Sequence, residues 1–242
     1  MEGRLVAGLQ PVREAIVAHG RAVRRVSIEH GENPRLEAVA RFATDHGVVE
    51  VTRESRTLLD ALTEGTVHQG VVAWAPELEL TDFADLLADP SLLGMVLDGI
   101  SDPQNFGAVV RSAVGIAGSA VIWGEHASAP LSLSTFRASA GAVEHAKLCR
   151  VPSLTAALTD AVAQGVQVVG LDPQADRALR ELDLKQPTLL VLGSEGEGMS
   201  RSVRRALTAT ARLAQSGRIG SLNASVAAAI ALYEASNQRV IS

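Results

Sequence analysis

Aromatic side chains are scarce: two Trp, one Tyr and four Phe make up 3% of the 242 residues. Nucleic-acid binding by a platform of stacked aromatic rings is therefore disfavoured. Apolar residues still reach 47%, so the core has to be built from Val, Leu, Ile and Ala, the usual filling of a sheet covered by helices. Cys149 is the only cysteine, which excludes an internal disulfide, and the six histidines show no metal-ligand spacing. A zinc or redox role is not expected. The first residues, Met-Glu-Gly-Arg, lack the basic start and apolar run of a signal peptide. No apolar stretch approaches the roughly 18 residues of a membrane span, so a soluble, cytoplasmic protein with no membrane partner and no metal is expected.

The net charge of −5 looks wrong for a nucleic-acid partner until it is divided along the chain. Residues 1–75 carry nine basic and ten acidic residues, and residues 93–242 carry thirteen and twelve. Between them, 76–92 holds five acids (Glu77, Glu79, Asp82, Asp85, Asp89) and no base. Each flanking region is near neutral, which leaves a local basic patch possible in either.

The patterning predicts a small α/β domain over 1–75, an acidic linker over 76–92 and a larger α/β domain over 93–242. In the first, helices are expected at Pro11–His19, Pro34–His46 and Ser55–Leu62, alternating with strands at Val23–Glu29, Val48–Thr52 and Gln69–Ala75. In the linker, Leu80, Phe83, Leu86 and Leu87 share one helical face behind Thr81 as a cap. In the third region a mainly parallel sheet is expected from strands at Met95–Asp98, Ala120–Trp123, Leu148–Val151, Val166–Leu171, Thr188–Gly193 and Thr210–Ala214. Its helices are expected through Val109–Ile116, around Leu131–Ala140, at Thr155–Gln164, after Ser200 and over 222–237.

Three segments stand out. In Leu97-Asp98-Gly99-Ile100-Ser101-Asp102-Pro103-Gln104-Asn105-Phe106-Gly107-Ala108-Val109-Val110-Arg111 a strand ends at Asp98, and either Asp102 with Pro103 or Asn105 opens a helix. Arg111 could simply reach solvent from a well-capped helix. Alternatively, Asn105 and Arg111 both border the carboxyl edge of the sheet, where open α/β sheets bind ligands. In Gly193-Ser194-Glu195-Gly196-Glu197-Gly198-Met199, three glycines let the backbone approach a ligand or another strand closely, or simply make a tight turn. The spacing is G-x-x-G-x-G, not that of dinucleotide folds, and no G-K-[ST] follows, so NAD and ATP fit poorly. In the last segment, 216–230, Gly217 and Gly220 lead through Ser221-Leu222-Asn223 into a helix slimmed by Ala224, Ala227, Ala228, Ala229 and Ala231. Close helix packing or a dimer seam would each use that slimness.

Taken together and in order, these segments resemble the three motifs of the SpoU (TrmH) family of RNA ribose methyltransferases. The opening Gly8-Leu9-Gln10-Pro11-Val12-Arg13-Glu14-Ala15-Ile16 and the strand His68-Gln69-Gly70-Val71-Val72-Ala73 resemble the N-terminal RNA-binding domain of one subgroup, a domain like ribosomal protein L30e. The resemblance implies a C-terminal SPOUT α/β domain with a deep trefoil knot, and S-adenosylmethionine bound by the knot. It also implies a homodimer and methyl transfer to a ribose 2′-hydroxyl of RNA, in that subgroup a guanosine of large-subunit ribosomal RNA. By motif position the cofactor contacts fall on Gly193, Ser194, Glu195, Gly198, Leu213 and Leu222, and the catalytic candidates on Asn105, Arg111, Glu195, Ser221 and Asn223. Family proposals make the arginine a base. A guanidinium scarcely deprotonates, so Arg111 is expected instead to stabilise the developing alkoxide or a neighbouring phosphate, with Glu195 and Asn223 orienting groups.

The chain departs from the family pattern at Leu213-Ala214-Gln215, where Ile-Pro-Met is usual, and at Ala224, where valine is common. The first change motivates an alternative reading, an RNA-binding or assembly protein that has lost methyl transfer. Transfer RNA is an alternative substrate, which the L30e-like domain disfavours. A small-metabolite methyltransferase would leave that domain without a task.

Overall fold

The computed structural model describes residues 3–126, 128–129, 131–214 and 220–240. Two compact units emerge, the first from residues 1–79 with 131–145, the second from 80–130 with 146–242.

Unit 1 carries a four-stranded sheet of order β1 (Arg4–Ala7), β4 (Val71–Ala75), β2 (Arg25–Glu29) and β3 (Glu50–Glu54). Helices α1 (Leu9–His19), α2 (Pro34–Asp45) and α3 (Arg56–Leu62) alternate with these strands. Only the β2–β3 pair is parallel. Asn33 caps α2, its side chain accepting from Arg35 N, with Pro34 in the first helical position. Strand β1 was not anticipated. It is four residues long, and its inward Arg4 breaks the apolar pattern.

Segment 131–145, read from sequence as part of the C-terminal domain, packs in unit 1. It carries helix α6 (Leu133–Ala138) and a 3₁₀ turn, Ala142–His145. Glu144, with a fully buried side chain, pairs with Arg4 and with His19 Nε2 at 2.9 Å. His145 meets Glu14 at 2.8 Å. At Gly141 an added Cβ would stand 2.7 Å from Glu14 Cβ and 3.0 Å from Pro11 Cα, so only glycine allows this close approach to α1.

Unit 2 is built on a wholly parallel six-stranded sheet. Its strands are β5 (Leu93–Asp98), β6 (Ala120–Gly124), β7 (Leu148–Val151), β8 (Gln167–Leu171), β9 (Thr188–Gly193) and β10 (Ala209–Ala211). Their order is β10-β8-β9-β5-β6-β7. Parallel strands covered on both faces read as continuous apolar runs, and β5, β6 and β9 do. Val96, Ile122, Val168, Leu189 and Val191 share one core with Leu158 and Ala161 of α7 (Leu154–Ala163) and Val203 of α8 (Arg201–Arg205). On α5 (Pro103–Ser112), Phe106 meets Trp123 of β6 edge to face at 5.2 Å. The last helix, α9 (Ala224–Val240), packs against α5, with Ala228, Ala231 and Ala235 fully buried. Cys149 is a core residue whose thiol burial pushes up to about 11.

Two local expectations need correction, and one open alternative is decided. The linker helix α4 (Phe83–Leu87) follows Asp82, not Thr81, whose backbone N–H is tied to Leu148 O. Strand β10 ends at Ala211, so Leu213 lies beyond it. Helix α5 starts behind Asp102, whose carboxylate accepts from Gln104 N and Asn105 N, and it widens into a π turn over Ala113–Ala117. The chain crossing that a knot would need involves 212–223, of which 215–219 lie outside the described residues. Among the described residues no helix is long and apolar enough to cross a membrane.

The far end of α9 is fastened mainly by Arg239, beside Gln238, whose Oε1 accepts from Leu184 N at 3.0 Å. Arg239 donates from Nε to Leu184 O (2.8 Å), from Nη1 to Ser91 O (2.6 Å), and from Nη2 to Leu92 O (3.0 Å) and Gln186 O (2.8 Å). Hydrogen bonds to charged groups are worth about 1.5–3 kcal/mol each, although several on one partly exposed group do not add. Arg239→Ala is therefore expected to destabilise the protein by roughly 3 kcal/mol, readable as a lower midpoint in chemical denaturation.

Candidate active site

All the sheet's strands point the same way, so their carboxyl ends form one edge, and the motif residues gather there. At the end of β5, Asp98 pairs in register with Gly193 at the end of β9. The Asp98 carboxylate accepts from Ser200 N at 2.6 Å and fixes the start of α8. Between Gly193 and Ser200 the second motif folds back on itself, with Ser194 and Gly198 exchanging both backbone hydrogen bonds (3.2 and 3.0 Å). Gly196 and Gly198 take φ of 89° and 69° there, a region that favours glycine. The fold-back presses on Gly193, where an added Cβ would lie 2.2 Å from Gly198 C and Met199 N.

The hairpin carries Glu195 to a meeting of all three motifs. Its Oε1 accepts from Asn105 Nδ2 (3.2 Å), from Asn223 Nδ2 (3.0 Å) and from the backbone N–H of Ala224 (3.2 Å). Asn223 Nδ2 also donates to Asn105 Oδ1 at 2.9 Å, closing the triangle. Asn223 Oδ1 accepts from Ser225 N at 3.0 Å, so this asparagine caps α9 with one end of its amide and holds the triad with the other. A carboxylate at the amino end of a 17-residue helix is also favoured by the helix dipole.

Glu195 borders a cavity of about 350 Å³. Gly193, Ser194, Gly198, Leu213, Ser221 and Leu222 line it as well, so every residue expected at a cofactor site is on its wall. Leu171, Leu192 and Ala227 add to the apolar lining. Arg111, by contrast, is exposed in the last turn of α5 and bonds to none of the triad. Asn105 and Arg111 share a helix, but six residues carry a side chain about 240° around it, so they leave on different faces.

The sequence reading missed the wall formed by Leu171, Asp172 and Pro173 after β8. An Asp-Pro pair directly after an apolar strand at the carboxyl edge was the available signal. Asp172 Oδ2 is held by Arg204 Nη1 at 2.7 Å, and its Oδ1 accepts from Gln174 N at 2.9 Å. The Arg204 hydrogen bond, then that backbone donor, hold the Asp172 carboxyl below the usual carboxylate range. With Asp172 paired to Arg204, Glu195 is left as the wall's unpaired charge among the described lining residues, which include no basic side chain.

The sequence profile of the SpoU rRNA Methylase family matches residues 93–233, and that of the RNA 2′-O ribose methyltransferase substrate-binding domain matches residues 5–81. A relative from Mycobacterium leprae, named an uncharacterized tRNA/rRNA methyltransferase, is 37% identical over 243 residues, covering 98% of this chain and 78% of its own. The SpoU methyltransferase AviRb from Streptomyces viridochromogenes, solved with AdoMet, superposes with a TM-score of 0.78 at 27% identity, covering 98% of this chain and 91% of its own. An AdoMet-bound rRNA methyltransferase from Sinorhizobium meliloti gives 0.74 at 26%, covering 96% and 86%. The cavity suits that cofactor: its volume falls within the usual range for small ligands, its apolar wall can take an adenine, and the negative charge of Glu195 favours a sulfonium over a phosphate. The chain belongs to the SpoU rRNA methylase family and is an RNA 2′-O-methyltransferase that takes its methyl group from S-adenosylmethionine.

Proposed function

We propose that this enzyme methylates a ribose 2′-hydroxyl of large-subunit ribosomal RNA, a guanosine by likeness to the subgroup, in the cytoplasm where that RNA is assembled. The observation that carries the reading is the Asn105–Glu195–Asn223 triangle sharing Glu195 with the cofactor cavity. S-adenosylmethionine supplies an already activated methyl group, so the protein's task is to place the ribose and ease the loss of its proton. Correct placement alone can be worth about 7–11 kcal/mol. Gly193, Ser194, Glu195, Gly198, Leu213 and Leu222 hold the cofactor, and Ser221 borders it. Glu195 and Asn223 orient the reacting groups together with Asn105, and Arg111 stabilises the developing alkoxide or the adjoining phosphate.

Support for ribosomal RNA comes from the 5–81 substrate-binding match and from the likeness of nearly the whole chain to the Sinorhizobium meliloti rRNA enzyme. Transfer RNA is the second reading, favoured by the name of the Mycobacterium leprae relative, which covers both substrates. The altered Leu213-Ala214-Gln215 leaves the cofactor reading standing, because Leu213 borders the cavity; Gln215 lies outside the described residues.

The proposed enzyme is a homodimer. Val226, Ile230 and Tyr233 are 46%, 43% and 59% exposed at helical spacing along one face of α9, an apolar stripe suited to a second copy. In such a dimer Arg111 can serve the partner copy's site, which fits its separation from the triad. Radiolabelled methyl transfer to purified ribosomal RNA and to bulk transfer RNA tests the reading. Label is expected in large-subunit RNA and absent with Arg111→Ala; label in transfer RNA alone would overturn the ribosomal assignment, and a fully active Arg111→Ala would remove the role given to Arg111.

A further inference from the structure

We propose that Arg204 is a positioning residue for the cofactor loop. It would brace the 193–199 hairpin against the end of β8, so that cofactor affinity depends on a side chain that need not touch the cofactor. The inference rests on the cavity being the S-adenosylmethionine site. Arg204 leaves α8 and its Nε donates to Met199 O at 3.1 Å, at the foot of the hairpin. Its Nη1 donates to Asp172 Oδ2 at 2.7 Å, in the opposite wall of the cavity. Its Nη2 stands 3.3 Å from the point where a Cβ on Gly198 would lie, against the hairpin's return strand. One rigid fork thus joins two separate stretches of chain, the hairpin's return at 198–199 and Asp172 after β8. Lysine could keep the charge, but not donate in these directions at once.

The groups that Arg204 grips are themselves fixed. Asp172 donates its backbone N–H to Ala211 O at 3.0 Å and accepts from Gln174 N, so its carboxylate is anchored at the sheet edge. Met199 lies over β8, where a Cβ on Gly170 would come within 2.8 Å of Met199 Cε. At the end of β5, Asp98 holds Ser200 N. The hairpin is therefore secured on the β5 side by Asp98 and on the β8 side by Arg204 and Asp172, and Glu195 rides between the two supports.

The test is S-adenosylmethionine binding to the full chain by isothermal titration calorimetry, with methyl transfer and thermal melting in parallel. Arg204→Ala and Asp172→Asn are each expected to raise the cofactor Kd about tenfold, with Arg204→Lys in between and the KM for RNA unchanged. Because both act through one bridge, the double variant Asp172→Asn/Arg204→Ala should bind about as weakly as either single one, not about a hundredfold worse. A folded Arg204→Ala whose Kd stays within about twofold of the parent, or strict multiplication in the double variant, would overturn the proposal. So would a fall in melting temperature in step with affinity across all the variants, which would mark a merely structural ion pair. A parent protein that binds the cofactor yet labels no ribosomal RNA would overturn the substrate reading alone, since the brace is read from binding.

Discussion

Gly193→Ala is expected to lower kcat/KM for methyl transfer at least about 100-fold and to weaken cofactor binding to the edge of detection. The new Cβ would lie 2.2 Å from Gly198 C and Met199 N and 2.6 Å from Gly198 O. Carbon atoms are at ease about 3.5–4.0 Å apart, so the hairpin would have to move by more than about 1 Å. The obstructing atoms are backbone held by the Ser194–Gly198 hydrogen bonds and by Arg204 on Met199 O, so no side-chain rotation relieves the overlap. Overpacking of this kind destabilises by about 1–3 kcal/mol or more, and the displaced segment is the one that carries Glu195. Gly196→Ala is the matched control. It strains a residue at φ 89°, but a Cβ there meets nothing within 4 Å, so its effect should stay near the 1–2 kcal/mol of a left-handed alanine. Calorimetric titration with S-adenosylmethionine and thermal melting separate the two variants. Parent-like binding by Gly193→Ala would show that the hairpin does not have to close on Gly193.

The same glycine shows how far the sequence could be read. That three glycines in six residues bring backbones together was legible, and what lies nearest to Gly193 is the hairpin's own return, the tight turn that was one of the alternatives, while Gly193 also borders the cavity. Strands β5, β6 and β9 were legible because buried parallel strands are unbroken apolar runs ending in Asp or Gly. Strand β1 was not, since its Arg4 is buried only by virtue of Glu144, 140 residues away. The same long-range pair helps to hold 131–145 in unit 1, a partition that no local composition signals. The resemblance put Asn105, Glu195 and Asn223 forward as candidates, and the parallel sheet brings them together across 90 and 118 positions. Arg111 was a candidate on the same grounds, yet it stands apart because helical phase, not spacing, sets where a side chain leaves α5. Asp172 and Arg204 carried no motif at all. Their pairing depends on β8 and β9 lying side by side, an order fixed by the whole sheet.

Glu195→Ala is expected to reduce kcat about 100-fold while changing stability by no more than about 1 kcal/mol. One carboxylate oxygen accepts three N–H groups, two of them the amides of Asn105 and Asn223, so its loss frees both side chains from their common centre. The direct Asn223 to Asn105 hydrogen bond at 2.9 Å survives, and Asn223 still caps α9 through Ser225 N, so the helix start keeps most of its support. What is lost is placement, and misplacing a reacting group by about 1 Å can cost 100-fold in rate. Glu195→Gln should be milder, about tenfold. Its oxygen can still accept the three N–H groups, but the charge that strengthens those hydrogen bonds is gone. Single-turnover methyl transfer with saturating cofactor isolates this step from binding, and chemical denaturation reads the stability. Should Glu195→Ala lose stability as steeply as activity, the residue is a helix cap that happens to border the cavity, and the orienting role falls to Asn105 and Asn223 alone.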